Sequence, residues 1–177
     1  MSQLQFRSIL ETSGVDLTGS SDFKVAEIGQ GSGTLLKTLG HALDTSELYA
    51  YDTDRWANYR SKKRGINILH ENWVSKDDTK LESQNKVFDI VCLFNVLDRA
   101  GAPCTMLEDA LAIAKPGGTI LVSVSVPWRP SPTGSYKVTS GHAMITVNIS
   151  NKQFHKLKKK QFSPNPQAAK INNAKSY

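Results

Sequence analysis

Three closely spaced glycines form the segment of this sequence that most clearly predicts a binding chemistry. Gly29, Gly31 and Gly33 stand in Glu27-Ile-Gly-Gln-Gly-Ser-Gly33, between an apolar run that predicts a buried strand and a helical pattern. Glycine lets the backbone turn tightly and approach a ligand closely, and the N–H groups that open the following helix suit a ligand carboxylate. This setting favours a loop that binds a nucleotide-like ligand over a glycine-rich turn that binds nothing.

An acid follows the second predicted strand, where it could bind the sugar of such a ligand. Asp52 lies 21 residues after Gly31, and a carboxylate at this place can accept both ribose hydroxyls of an adenosyl group. The alternatives are a solvated surface acid or a helix cap. Asp54 is the better candidate for the cap.

The spacing of the loop separates two candidate cofactors. The dinucleotide fingerprint G-x-G-x-x-G requires a third glycine where Thr34 stands. In addition, the acidic Glu27 lies two positions before the first glycine. Both details favour S-adenosylmethionine (AdoMet) over NAD, so that an NAD-binding module is the weaker alternative.

Polar residues that could contact a substrate follow the most apolar predicted strand. Asn95 and Asp98 come directly after the run from Phe88 to Phe94, which would deliver them to a cleft at the carboxyl end of the sheet. The alternatives are a βαβ unit without a site, in which Asn95 caps a turn, and an ion pair between Asp98 and Arg99.

Alternating strand and helix patterns would position these residues. Strands are predicted over 24–28, 48–51, 66–69, 88–94 and 119–126, and helices over 3–10, 35–43, 54–63 and 106–114. Strands separated by helices indicate an α/β fold, in which a doubly wound, mainly parallel sheet is covered on both faces.

The charge of the chain divides it into two parts. Residues 1–134 hold 14 Lys and Arg against 16 Asp and Glu, a net of −2, whereas residues 135–177 hold eight Lys and no acid, a net of +8. We therefore predict a folded core over 1–134 and a basic, disordered tail over 135–177, with a brief strand at 143–149 as an alternative. The tail could reach phosphates, but a solvating segment is the more usual reading, so we expect no specific nucleic acid.

Other features of the sequence limit the class of protein. No apolar run reaches the roughly 20 residues of a membrane span. The two cysteines and four histidines show no metal-ligand spacing, so we expect no metal. Two reduced thiols, with Cys92 buried, indicate an intracellular, cytoplasmic protein. The sequence does not predict an oligomeric state.

Several segments together resemble one family. Cys92-Leu-Phe-Asn-Val-Leu-Asp-Arg99, Lys115-Pro-Gly-Gly118 and Val126-Pro-Trp-Arg-Pro130 are similar to the DREV, or methyltransferase-like-nine, family. The resemblance runs from about Phe6 to Pro130. It implies a Rossmann-like class I methyltransferase that uses AdoMet to methylate the pros nitrogen of histidines in His-x-His segments of proteins or peptides. It also implies association of family members with the endoplasmic reticulum or mitochondria.

The resemblance also implies roles for particular residues. Glu27 and Gly29 match the cofactor loop, Asp52 matches the ribose acid, and Asn95 matches a residue beside cofactor and substrate. Trp73 matches a family tryptophan near the adenine. Arg129 departs from the pattern, because the family has a histidine at this place.

The resemblance ends after Pro130, where the family continues with two more strands and a helix. We therefore expect a sheet that lacks its last two strands and leaves the fifth strand as an unpaired edge. The alternative to an active enzyme is a truncated, catalytically inactive fragment or pseudoenzyme that still binds AdoMet.

Overall fold

The computed structural model describes residues 1–69, 87–125 and 142–147. Within them lie four α-helices, one short 3-10 helix (Ser20–Asp22) and six strands. The helices are α1 (Gln3–Thr12), α2 (Thr34–Leu43), α3 (Arg55–Lys63) and α4 (Pro103–Ile113). The strands are β1 (Val25–Ile28), β2 (Leu48–Tyr51), β3 (Asn67–Ile68), β4 (Phe88–Phe94), β5 (Ala114–Ser125) and β6 (His142–Val147).

Local chemistry explains where the helices begin. Ser2 and Gln5 form a reciprocal capping box at the start of α1. Asp54 caps α3 by accepting a hydrogen bond from the Trp56 N–H at 2.9 Å, as predicted. Gly33, in a left-handed conformation, precedes the first residue of α2, so the glycine loop leads directly into that helix.

The six strands form one sheet in the order β3-β2-β1-β4-β5-β6. Strands β1 to β5 are parallel, and β6 pairs antiparallel with β5. The chain proceeds from β1 towards one edge and then crosses to β4 on the other side. The carboxyl ends of β1 and β4 therefore flank the topological switch point, where open α/β sheets bind their ligands.

Alternating side chains of the strands divide the core into two layers. Val25 of β1 and Ile90 of β4 pack with α1 and α2 on one face. Ala26 and Val91, the next residue of each strand, pack with α4 on the opposite face. The predicted doubly wound α/β architecture is thereby confirmed.

The carboxyl-terminal half of the sheet differs from the prediction in two places. The expected unpaired edge at β5 is wrong, because β6 pairs with it over Ile120↔Val147 to Ser125↔His142. The brief strand predicted at 143–149 corresponds to this element. In addition, Pro116–Gly118 lies inside β5 rather than before it. The register shift opposite Phe88 and Ile90 accommodates this segment as an irregularity of the strand.

Some predictions fall on residues outside those described. They include Trp73, the segment Pro127 to Pro130, and the tail apart from 142–147. The division at residue 134 stays a prediction.

Candidate functional site

The glycine loop after β1 adopts the backbone that its sequence predicts. Gly29, Gly31 and Gly33 have φ angles of 72°, 53° and 69°, in the left-handed region that favours glycine. A Cβ on Gly29 would lie 2.5 Å from Val96 Cγ2, whereas a Cβ on Gly31 would meet no atom within 4 Å. Gly29 is therefore required for packing against the turn after β4, while Gly31 faces open space at the switch point.

Asp52 joins the end of β2 to this loop. Its Oδ2 accepts a hydrogen bond from the Gly31 N–H at 2.9 Å, and its Oδ1 accepts one from the Asp54 N–H at 2.9 Å. The Gly29 N–H donates to the carbonyl of Tyr51 at 2.7 Å. A carboxylate can accept about four hydrogen bonds. The side chain of Asp52, which is partly exposed, thus keeps the capacity to accept two hydroxyls.

Glu27 lies within β1 and is only 2% exposed. Burial raises the pKa of its carboxyl to about 8, the N–H of Leu36 in the first turn of α2 opposes this shift, and the charge of Asp52 adds to it. Its Oε2 has no hydrogen-bond partner among the described residues. A buried acceptor without a protein donor, at the base of a glycine loop, is a suitable partner for a cationic ligand.

Asn95 begins the turn after β4 with a φ of 51°, which is rare outside glycine. Its N–H donates to the backbone carbonyl and to the Oγ of Ser123 in β5, both at 3.0 Å. The hydroxyl of Ser123 donates in return to Asn95 Oδ1 at 3.2 Å. Strained residues of this kind cluster at functional sites, and Asn95 is partly exposed at the switch point.

Asp98 is placed differently from Asn95. It is 1% exposed, and its Oδ1 lies 4.0 Å from the Nε of Arg99, whose side chain is 47% exposed. The ion pair between Asp98 and Arg99, an alternative that the sequence left open, is therefore present at the upper distance limit for such a pair. A direct contact between Asp98 and a substrate would require the turn to move.

The structure brings most of the predicted cofactor residues to one place. The loop of Gly29 to Gly33 touches Asp52 directly and packs on the turn that carries Asn95, through Val96. Sequence reasoning missed Val96 and Ser123, because an apolar residue in a turn and a hydroxyl residue within a strand carry no specific signal. It also missed Gln30 and Asn58, although Gln30 lies inside the predicted loop.

Comparison with known proteins identifies the family. A model of the DREV methyltransferase family matches residues 1–142 of the 177 residues. The chain belongs to the DREV methyltransferase family. No curated protein matches it.

Solved structures share the fold of this DREV chain. It aligns with a protein of Galdieria sulphuraria assigned as a sarcosine dimethylglycine methyltransferase, at a TM-score of 0.53 and 14% identity, over 69% of this chain and 44% of the other. The CurJ carbon methyltransferase aligns at a TM-score of 0.53 and 18% identity, over 71% and 35%. The CalH trans-methyltransferase, solved with S-adenosylhomocysteine (SAH), aligns at 0.49 and 18%, over 60% and 33%. The chain thus spans less than half the length of each.

AdoMet is the cofactor of this methyltransferase family, and the residues at the switch point fit it. The buried acceptor Glu27 Oε2 has no hydrogen-bond partner among the described residues, which suits the positive charge of AdoMet. Gly31 leaves room for a close approach of the ligand, and Asp52 suits its ribose.

The described residues contain neither a membrane-spanning helix nor a cluster of metal ligands. No helix among them is long and apolar enough to cross a membrane. No group of three or more His, Cys, Asp or Glu side chains in this part of the chain could hold a metal ion. Cys92 is buried, as predicted, and burial raises the pKa of its thiol.

Proposed function

We propose that this chain is an AdoMet-dependent protein-histidine methyltransferase that acts on the pros nitrogen of His-x-His segments in proteins or peptides. Membership of the DREV family supports methyl transfer. The observation that carries the proposal is the placement of Asn95. Its half-exposed amide is held by β5 in a left-handed turn beside the loop that would bind the cofactor.

Six described residues are proposed to hold the cofactor: Glu27, Gly29, Gly31, Gly33, Asp52 and Asn95. Trp73, which lies outside the described residues, completes the proposed set on the adenine side. When bound, AdoMet supplies a methyl group on a sulfonium. Transfer of this methyl group leaves a neutral thioether. The protein then mainly has to align the acceptor and exclude water.

Asn95 is proposed to orient the acceptor imidazole. A histidine nucleophile must be neutral, with its lone pair on the attacking nitrogen. A polar partner on the other nitrogen fixes that tautomer. Asn95 Oδ1 is an acceptor of the required kind, because it can take a hydrogen bond from the imidazole N–H.

Asp98 is proposed to support the imidazolium that forms as the methyl group arrives. Because the side chain of Asp98 is buried, we propose that it acts on the imidazolium through its charge. The direct contact with the imidazole is proposed for Asn95. A buried carboxylate acts through a medium of low dielectric, where its charge has a larger effect than in water.

Methylation of peptides tests the proposed function. The chain is incubated with AdoMet that carries a deuterated methyl group and with a His-x-His peptide or its Ala-x-Ala counterpart. We expect label in the histidine peptide alone, and the pros isomer after hydrolysis. Label in neither peptide, from folded protein that binds AdoMet, would contradict the proposal.

Two substitutions at one position test the amide of Asn95. Asn95→Gly keeps the left-handed backbone without strain, whereas Asn95→Ala adds about 1 kcal/mol of strain. We expect both variants to lose about tenfold or more in turnover, and only the alanine variant to unfold at a lower temperature. Full turnover by Asn95→Gly would mean that the backbone conformation at this position matters for turnover and that the amide side chain does not.

A conservative substitution tests Asp98. Asp98→Asn removes the charge and keeps the shape of the side chain. We expect turnover to fall while the affinity for SAH stays unchanged. Undiminished turnover at unchanged affinity would remove the proposed role.

A catalytically inactive AdoMet-binding protein is the second candidate. It is favoured by the burial of Asp98, whose 1% exposure leaves one of the two proposed catalytic residues without direct access to a substrate. Binding of SAH without methylation of any histidine peptide would support this candidate.

A further inference from the structure

Asn58, in the first half of α3, contacts the backbone of Asp52 twice. Its Nδ2 donates a hydrogen bond to the Asp52 carbonyl at 2.7 Å, and its Oδ1 accepts one from the Asp52 N–H at 3.1 Å. One amide side chain thus satisfies both backbone groups of a single residue. Such a pair of opposed hydrogen bonds restricts rotation about the backbone on both sides of Asp52.

The same amide oxygen reaches the glycine loop. Asn58 Oδ1 also accepts a hydrogen bond from Gln30 Nε2 at 2.9 Å. Gln30 is 6% exposed and lies between Gly29 and Gly31. Because the Gly31 N–H donates to Asp52 Oδ2 at 2.9 Å, these contacts form a closed ring through Gln30, Gly31, Asp52 and Asn58.

The ring fixes the Asp52 carboxylate from both of its ends. The backbone of Asp52 is held by Asn58, and its Oδ2 is held by the loop to which Gln30 belongs. Two adjacent hydroxyls on a sugar can be accepted together only by a carboxylate that has one defined orientation. A carboxylate that is free to move must be ordered when the ligand binds, and this ordering costs free energy. The hydrogen bond to the second hydroxyl would then contribute less to the affinity than the bond to the first.

We propose that Asn58 and Gln30 are positioning residues that fix Asp52 for a ligand with a ribose cis-diol, and so make binding selective for ribose over 2′-deoxyribose. The inference rests on the proposed role of Asp52 as the ribose acid. Asn58 and Gln30 act through Asp52 and are not assigned a contact with the cofactor.

Calorimetric titration with SAH and with its 2′-deoxy analogue tests this proposal in the intact chain. We expect wild-type protein to prefer SAH by about tenfold or more, the value of one charge-assisted hydrogen bond. Asn58→Ala should bind SAH about tenfold more weakly and the deoxy analogue nearly as well as wild type. Asn67→Ala, which removes the same side chain from β3, serves as the matched control and should keep the preference.

A double-mutant cycle with Asp52→Asn separates positioning from general damage. If Asn58 acts through Asp52, Asn58→Ala should have little further effect on SAH affinity once Asp52 is changed. Gln30→Leu, which keeps the volume of the side chain, tests the ring from the loop, and it should also lower the preference for ribose. It allows the test to proceed if Asn58→Ala does not fold.

Each result distinguishes the inference from the function on which it rests. Equal weakening of both ligands by Asn58→Ala, or additive effects with Asp52→Asn, would overturn the positioning role alone. An Asp52→Asn variant that retains the full preference for SAH would overturn the role of Asp52 and the inference together.

Discussion

Glu27 places an acid among apolar strands near the centre of the sheet. Burial raises the pKa of its carboxyl to about 8 from an ordinary value of 4.5. Between these two values the folded chain holds a proton that the unfolded chain releases. Folding stability therefore decreases as the pH rises through this window, by up to about 1.4 kcal/mol per pH unit.

Replacement of Glu27 by glutamine should remove this pH dependence. Between about pH 5 and about pH 8, we expect the free energy of unfolding of wild-type protein to fall by about 3 kcal/mol more than that of Glu27→Gln. Urea unfolding of both proteins without AdoMet, at the two pH values, measures the difference. Parallel pH profiles would mean that Glu27 is already ionised in the folded chain.

The positions of single residues could be predicted where a motif fixes the backbone around them. The separation of Gly31 and Asp52 by one βα unit predicted two neighbouring strand ends, and the hydrogen bond between these residues confirms that they meet. Asn58 was not predictable, because an amide on a polar helix is compatible with any solvated surface. The burial of Asp98 could not be predicted either, because it depends on how the turn after β4 folds back.

At the scale of elements, the glycine loop and the turn after β4 support one another. Gly29→Ala would bring a Cβ to 2.5 Å from Val96 Cγ2 in a backbone with a φ of 72°. We expect a loss of about 2 to 4 kcal/mol of stability from overpacking and strain together. Gly31→Ala, whose Cβ meets no atom within 4 Å, should lose only about 1 kcal/mol.

Thermal and urea unfolding of the two alanine variants measure this contrast. The double variant Gly29→Ala, Val96→Ala serves as the control, because it relieves the overpacking and leaves the backbone strain. Once the stability loss of Val96→Ala alone is subtracted, the double variant should be more stable than Gly29→Ala and less stable than wild type. Equal stability losses at Gly29 and Gly31 would contradict the packing between the loop and the turn.

Hydrophobic periodicity predicted the helices and parallel strands better than it predicted the start of β5. A short apolar run describes β1 and β4 well, because both strands are buried on two faces. The segment Pro116–Gly118 is a usual stop signal, yet it lies within β5. Pairing with β4 on both sides of a register shift outweighs the local preference, and a single sequence does not show that pairing.

At the scale of the whole molecule, β6 extends the sheet beyond β5. It pairs with β5 over Ile120↔Val147 to Ser125↔His142. The basic character of the surrounding sequence led to the expectation of a disordered tail. The six residues of β6 pair antiparallel with β5, the strand that precedes them in the chain, and such a pairing is not visible in local composition.

Proline substitutions at adjacent positions test the pairing of β6. Successive residues of an antiparallel edge strand direct their N–H groups alternately to the partner strand and away from it. One of Met144→Pro and Ile145→Pro should therefore lose about 3 kcal/mol of stability and aggregate more readily, while the other is tolerated better. Thermal unfolding with light scattering measures both effects. No change in either variant would contradict the strand.

The central claim is that the glycine loop and Asp52 together bind AdoMet, and titration of SAH into the folded chain tests it most directly. We expect saturable binding to one site in wild-type protein, and about ten- to a hundredfold weaker binding by Asp52→Asn. Asp54→Ala, which removes the cap of α3 and an exposed ion pair with Arg60, should lose about 1 kcal/mol of stability and keep the affinity for SAH. Absence of binding by folded wild-type protein, or equal affinity in Asp52→Asn, would contradict the account.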